Sequence, residues 1–143
     1  MTHARLSVVS IGVRDFARMR AFYRALGWGE STAATSDWTA FETVGARLAL
    51  YPLDLLAAEA GLPARADDGR FSGITLAVNV ATPEEVDAVY RAFLDAGARP
   101  LAAPQTRDWG GRSAYAADPE GNAWEIAFAP NAVIDERGAL TGF

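Results

Sequence analysis

The stretch Ala21-Phe22-Tyr23-Arg24-Ala25-Leu26-Gly27 decides the fold, because the chain repeats it as Val89-Tyr90-Arg91-Ala92-Phe93, closed by Gly97. Each copy follows an alternating apolar strand. Each is followed by a glycine-centred hairpin, at Gly45 and Gly121, that leads into another alternating strand. An internal repeat of this kind constrains architecture more than any single motif.

Around the first copy, Ser7, Val9, Ile11 and Val13 share one face of a strand, and Leu6, Val8, Ser10 and Gly12 the other. Asp15 is placed to cap a helix whose stripe is Phe16, Met19, Phe22, Tyr23 and Leu26, with Gly27 as its stop. Strands are predicted over 28–34, 37–44 and 46–52, and a short helix over 53–61. Around the second copy, Ile74, Leu76, Val78 and Val80 alternate with Gly73, Thr75, Ala77 and Asn79. Thr82-Pro83-Glu84-Glu85 has capping-box spacing with proline in the first helical position. Strands near 99–104, 111–117 and 122–129 complete the unit. The prediction is an α+β fold of two tandem βαβββ modules, about 5–62 and 72–129, with a linker over 63–70 and a surface tail over 130–143. Their open faces are expected to form one curved mixed sheet with a central cleft and the helices outside.

Composition narrows the function. The chain has 143 residues, half of them hydrophobic, enough for a core without disulfides. No apolar run approaches the roughly 18 residues a membrane span requires. A net charge of −5 argues against a nucleic-acid partner. There is no cysteine, so no thiolate site or thiol nucleophile. All 13 basic residues are arginine, which excludes Schiff-base chemistry on a lysine. Lack of a leader pattern after Met1 favours a cytoplasmic location.

Val13-Arg14-Asp15 leading into Ala21–Gly27, and Ala117-Asp118-Pro119-Glu120-Gly121-Asn122 leading into Trp124-Glu125-Ile126, resemble the vicinal oxygen chelate superfamily. That superfamily includes glyoxalase I, extradiol dioxygenases and bleomycin-binding proteins. The resemblance runs from Arg5 to about Pro130, and Trp109-Gly110-Gly111 is similar to a subgroup of it. It implies a divalent metal at four positions, which fall here on Val8, Ala49, Gly73 and Glu125. Only Glu125 carries a donor, and a useful site needs at least about three. The expectation is therefore a metal-ligand-deficient member with no metal and no cofactor. His3 lies ahead of the first strand and is read as an ordinary terminal residue.

Strand parity selects the residues expected to line the cleft: Trp38, Glu42, Arg47, Tyr51, Thr75, Asn79, Ser113, Tyr115 and Glu125, with Trp109 on a glycine-flanked loop as a cap. Tyr115 and Glu125 lie symmetrically about the 118–122 turn and are predicted to be cross-strand neighbours. Glu125 also has a structural reading as a partner of Arg47 or of the Tyr115 hydroxyl, and Arg47 as a partner of Glu42. Trp124, Phe22 and Tyr90 are read as core.

Three functions fit. The first is a metal-independent small-molecule-binding protein, sequestering an antibiotic or metabolite by aromatic stacking. The second is a cofactor-independent isomerase or lyase, with Glu125 as general base and Tyr115 donating to a developing oxyanion. The third is a non-catalytic dimeric interaction protein. The expected partners are a small organic ligand and a second copy of the chain as a homodimer, with no nucleic acid and no membrane.

Overall fold

The computed structural model describes residues 1–143. The chain divides into two compact units, Met1–Asp68 and Gly69–Phe143. No helix is long and apolar enough to cross a membrane.

The first unit runs β1 (Val8–Val13), α1 (Phe16–Ala25), β2 (Thr39–Phe41), β3 (Arg47–Pro52) and α2 (Leu53–Ala60). Its sheet has the order β1-β3-β2, with β1 and β3 parallel and β2 antiparallel to β3. Asp15 caps α1 as the sequence requires, its carboxylate accepting from the Arg18 amide at 3.0 Å. Met19, Phe22 and Tyr23 of α1 are buried, as are Ile11, Phe41, Leu48 and Leu50 of the sheet. Tyr23 packs edge-on to Phe22 with ring centroids 4.9 Å apart, and stacks on Trp28 at 5.5 Å.

Three strands were expected between α1 and α2, but the first shrinks to one bridge, Glu30 to Phe41. The cause is local. Ser31 Oγ accepts from the Ala33 amide at 3.1 Å, and Thr35 Oγ1 accepts from the Trp38 amide at 3.0 Å. These side-chain bonds curl the chain and compete with a ladder.

Glu30 organises this region. Its carboxylate accepts from Arg20 Nε, from Arg24 Nε at 2.6 Å, and from the hydroxyl of the fully buried Thr39. Burial pushes the Glu30 carboxyl up, but hydrogen bonds from Thr39, Arg20 and Arg24 outweigh it and hold the group below its ordinary value. A carboxyl depressed in the fold stabilises it above the ordinary value, and that contribution vanishes as pH falls through the depressed one. Glu30→Gln is therefore expected to cost most at neutral pH and progressively less in acid. Melting curves at both ends of that range check this; a gap between variant and wild type that ignores pH contradicts it.

The second unit runs β4 (Thr75–Asn79), α3 (Pro83–Asp95), β5 (Arg99–Thr106), β6 (Arg112–Ala117) and β7 (Ala123–Phe128). Its sheet has the order β4-β7-β6-β5, parallel only between β4 and β7. The capping box forms: Thr82 accepts from the Glu85 amide while the Glu85 carboxylate accepts from the Thr82 amide. α3 packs across β5, β6 and β7. Val86 and Phe93 are buried, and the Phe93 ring centroid lies 5.7 Å from that of Trp124. Tyr90, read as core, is only half-buried. The segment expected to be a tail instead closes a hairpin, β8 (Val133–Ile134) with β9 (Leu140–Gly142).

Candidate functional site

Both units leave one sheet face away from their long helix, and the two faces have different fates. In the first unit Phe41 points into the core, so Trp38, Ala40 and Glu42 share parity with Ala49. α2 returns over the end of this face. A Cβ on Gly12 would lie 2.7 Å from Leu53 Cδ1 and 3.1 Å from Leu53 Cα, so the missing side chain lets the helix sit close to the strand there. Tyr51, paired with Gly12 across the ladder, donates to the Glu59 carboxylate of α2 at 3.0 Å. That bond, then burial, pushes the Tyr51 phenol up. Arg47 is exposed and donates to the Thr43 carbonyl at 3.0 Å, not to Glu42, which is also exposed. Trp38 is half-buried beside the turn capped by Thr35. The four site residues expected here are thus spread over strand ends and turns, and Tyr51 is committed to α2.

In the second unit the ladder brings the expected residues together. Tyr115 pairs directly with Glu125, and Glu125 with Ala77. One row along, Ser113 pairs with Ala127, and Ala127 with Asn79. Thr75 pairs with Ala123. The opposite parity sends Trp124, Ile126, Ala114 and Ala116 into the core beneath α3. The open face is therefore a floor of alanines carrying Thr75, Asn79, Ser113, Tyr115 and Glu125. Burial, and then the adjacent Glu125 carboxylate as charge and hydrogen-bond acceptor, push the Tyr115 phenol up, so it remains a proton donor across the neutral range.

Two more residues complete this face. A Cβ on Gly111 would fall 1.7 Å from Trp109 Cζ3, so the indole lies over that glycine, on the side Ser113 and Tyr115 share by parity. Sequence reasoning missed Arg107. The turn it opens is closed by the Arg107 amide donating to the Gly111 carbonyl at 2.8 Å. Its guanidinium folds back, Nε donating to the buried Ser113 hydroxyl at 2.7 Å, and its charge is felt by Tyr115. The available signal was its position four residues before Gly111, at the mouth of a turn that points back at Ser113.

The residues present do not fit a metal ion. Val8 opens β1, Ala49 is buried in β3, and Gly73 precedes β4, none with a donor side chain. No group of three or more His, Cys, Asp or Glu side chains assembles anywhere in the chain.

Residues 5–126 match the model of the Glyoxalase/Bleomycin resistance protein/Dioxygenase superfamily. The chain belongs to that superfamily. Among superfamily structures, a glyoxalase-related enzyme from Fulvimarina pelagi is 27% identical, with a TM-score of 0.87 over 98% of this chain and 99% of that one. A glyoxalase/bleomycin resistance protein/dioxygenase family enzyme from Burkholderia phytofirmans PsJN is also 27% identical, with a TM-score of 0.73 over 88% of this chain and 99% of that one. Lactoylglutathione lyase from Agrobacterium tumefaciens shares the superfamily fold, at 19% identity and a TM-score of 0.66 over 90% of this chain and 96% of that one. No curated protein matches the sequence.

Proposed function

We propose that this superfamily member binds a small organic molecule without a metal ion, on the open sheet face of its second unit, and acts by sequestering it. The observation that carries this reading is the Tyr115–Glu125 pair with Ser113 one row along, joined by Arg107, above a floor of small residues. Fixed polar groups over an apolar floor give a ligand orientation, and small side chains give it room. Trp109, 54% exposed, adds a ring on which a planar ligand can stack. A cytoplasmic homodimer is part of the same reading, and sedimentation of the purified protein tests the dimer.

Tryptophan emission titrated with a natural-product panel tests the binding. At least one compound is expected to change the signal saturably, and Glu125→Gln and Tyr115→Phe should each weaken it by about tenfold, the scale of a lost hydrogen bond near a charge. Emission unmoved by the whole panel, or variants that bind like wild type, would sink the proposal.

The Tyr115–Glu125 pair favours a second reading, a cofactor-independent isomerase or lyase. Glu125 would take the substrate proton while Tyr115, held protonated beside it, donates to the oxygen that gains charge. Turnover lost in Glu125→Gln with melting unchanged supports this; turnover that survives refutes it.

A further inference from the structure

Four arginines of this chain meet acidic partners at close range. Arg20 and Arg24 meet Glu30, Arg112 meets Asp87 at 2.7 Å, and Arg137 meets Asp135 at 2.9 Å. Arg107 does not. Arg107 as a residue is half-buried, and the hydrogen-bond partners of its guanidinium are both neutral: the Ser113 hydroxyl and the amide of Gln105. Gln105 pairs with Ser113 in the β5–β6 ladder, and since a guanidinium has only donors, the amide presents its oxygen to it. The carboxylate on this face, Glu125, is engaged with Tyr115 instead.

A cation without a counter-ion keeps its charge available to a ligand. Here it occurs in a chain with 18 acidic residues available against 13 arginines. Ser113 and Gln105 fix the plane of the guanidinium without neutralising it, and the remaining Nη hydrogens have no protein acceptor. That leaves a fixed, un-neutralised cation with N–H donors to spare, which suits it to receive an anion such as a carboxylate. The turn that carries Arg107 also carries Trp109, so an apolar or aromatic surface stands next to the charge.

Resting on the binding reading above, we infer that the ligand is a small carboxylic acid with an apolar or aromatic body. Its carboxylate pairs with Arg107, and its body lies toward Trp109. Ser113 and Gln105 act as positioning residues for the guanidinium.

Calorimetric titration with phenylacetate, phenylacetamide and phenethylamine, which share a ring and differ in the charged group, tests the inference. Wild-type protein is expected to favour phenylacetate over the amide by about tenfold or more, the amine binding weakest. Arg107→Gln should abolish that preference, Arg107→Lys should retain part of it, and Ser113→Ala should weaken phenylacetate while sparing the amide. Melting curves establish that each variant is folded. Equal affinity for acid and amide, or a preference for the acid that survives Arg107→Gln, overturns the inference. Amide or amine binding without preference for the acid does so while leaving metal-free binding standing. Failure of all three probes at millimolar concentration also overturns it, and the broader panel then judges the parent reading separately.

Discussion

Asp118→Ala is expected to destabilise the protein by about 3 kcal/mol, lowering the melting temperature by about 10 °C. Asp118 is 1% exposed. One carboxylate oxygen accepts from the amides of Glu120 and Asn122, both at 3.0 Å, and the other from the Asn122 side chain at 2.8 Å. Alanine leaves these donors inside the turn with no acceptor, and a buried donor without a partner costs more than the hydrogen bond it lost. Asp118→Asn keeps one acceptor and should fall between the two. The turn also sets the register in which Tyr115 faces Glu125, so ligand binding should weaken together with stability. An alanine variant that melts within about a degree of wild type would contradict the assignment of this motif as the structural clamp of the site.

Gly111→Ala should be nearly as damaging, at about 1–3 kcal/mol, from a single added methyl. Besides the contact with the Trp109 ring, that methyl would lie 2.4 Å from the Phe128 carbonyl. The indole can swing aside; the carbonyl is backbone in β7 and cannot do so without disturbing the Arg112–Phe128 pairing. Two readouts separate the effects. Trp109 emission should shift to the red as the ring leaves Gly111. Adding Trp109→Ala to Gly111→Ala should recover only part of the lost stability. Full recovery would show that the indole was the sole obstacle, and a single variant with unchanged emission and melting would show that the close packing is not as described.

Much of the fold was readable because the informative residues act locally. Asp15 and Thr82 announce helix starts through bonds to amides three residues on. Gly45 and Gly121 take the positive φ their turns require. Strand alternation then places Tyr115 opposite Glu125 without tertiary information. What stayed hidden depends on side-chain reach and on packing at a distance. Arg107 sits in a turn, where alternation says nothing about direction, and its long chain carries the charge back to Ser113. Tyr51 had the correct parity, but only packing reveals that α2 claims its hydroxyl. The strand expected around Glu30 lost out to serine and threonine bonds to nearby backbone, which alternation does not register.

The return of α2 over the first unit's sheet has a consequence for how the two halves tolerate change. Ala49 occupies the place in the first repeat that Glu125 holds in the second, and it is buried whereas Glu125 is partly open to solvent. The halves differ: one leaves its sheet surface open, the other has given part of its own to a helix. Random substitution should therefore leave a lopsided record. Damage in the first half should follow loss of folding, and only the second half should yield variants that fold normally and fail to bind.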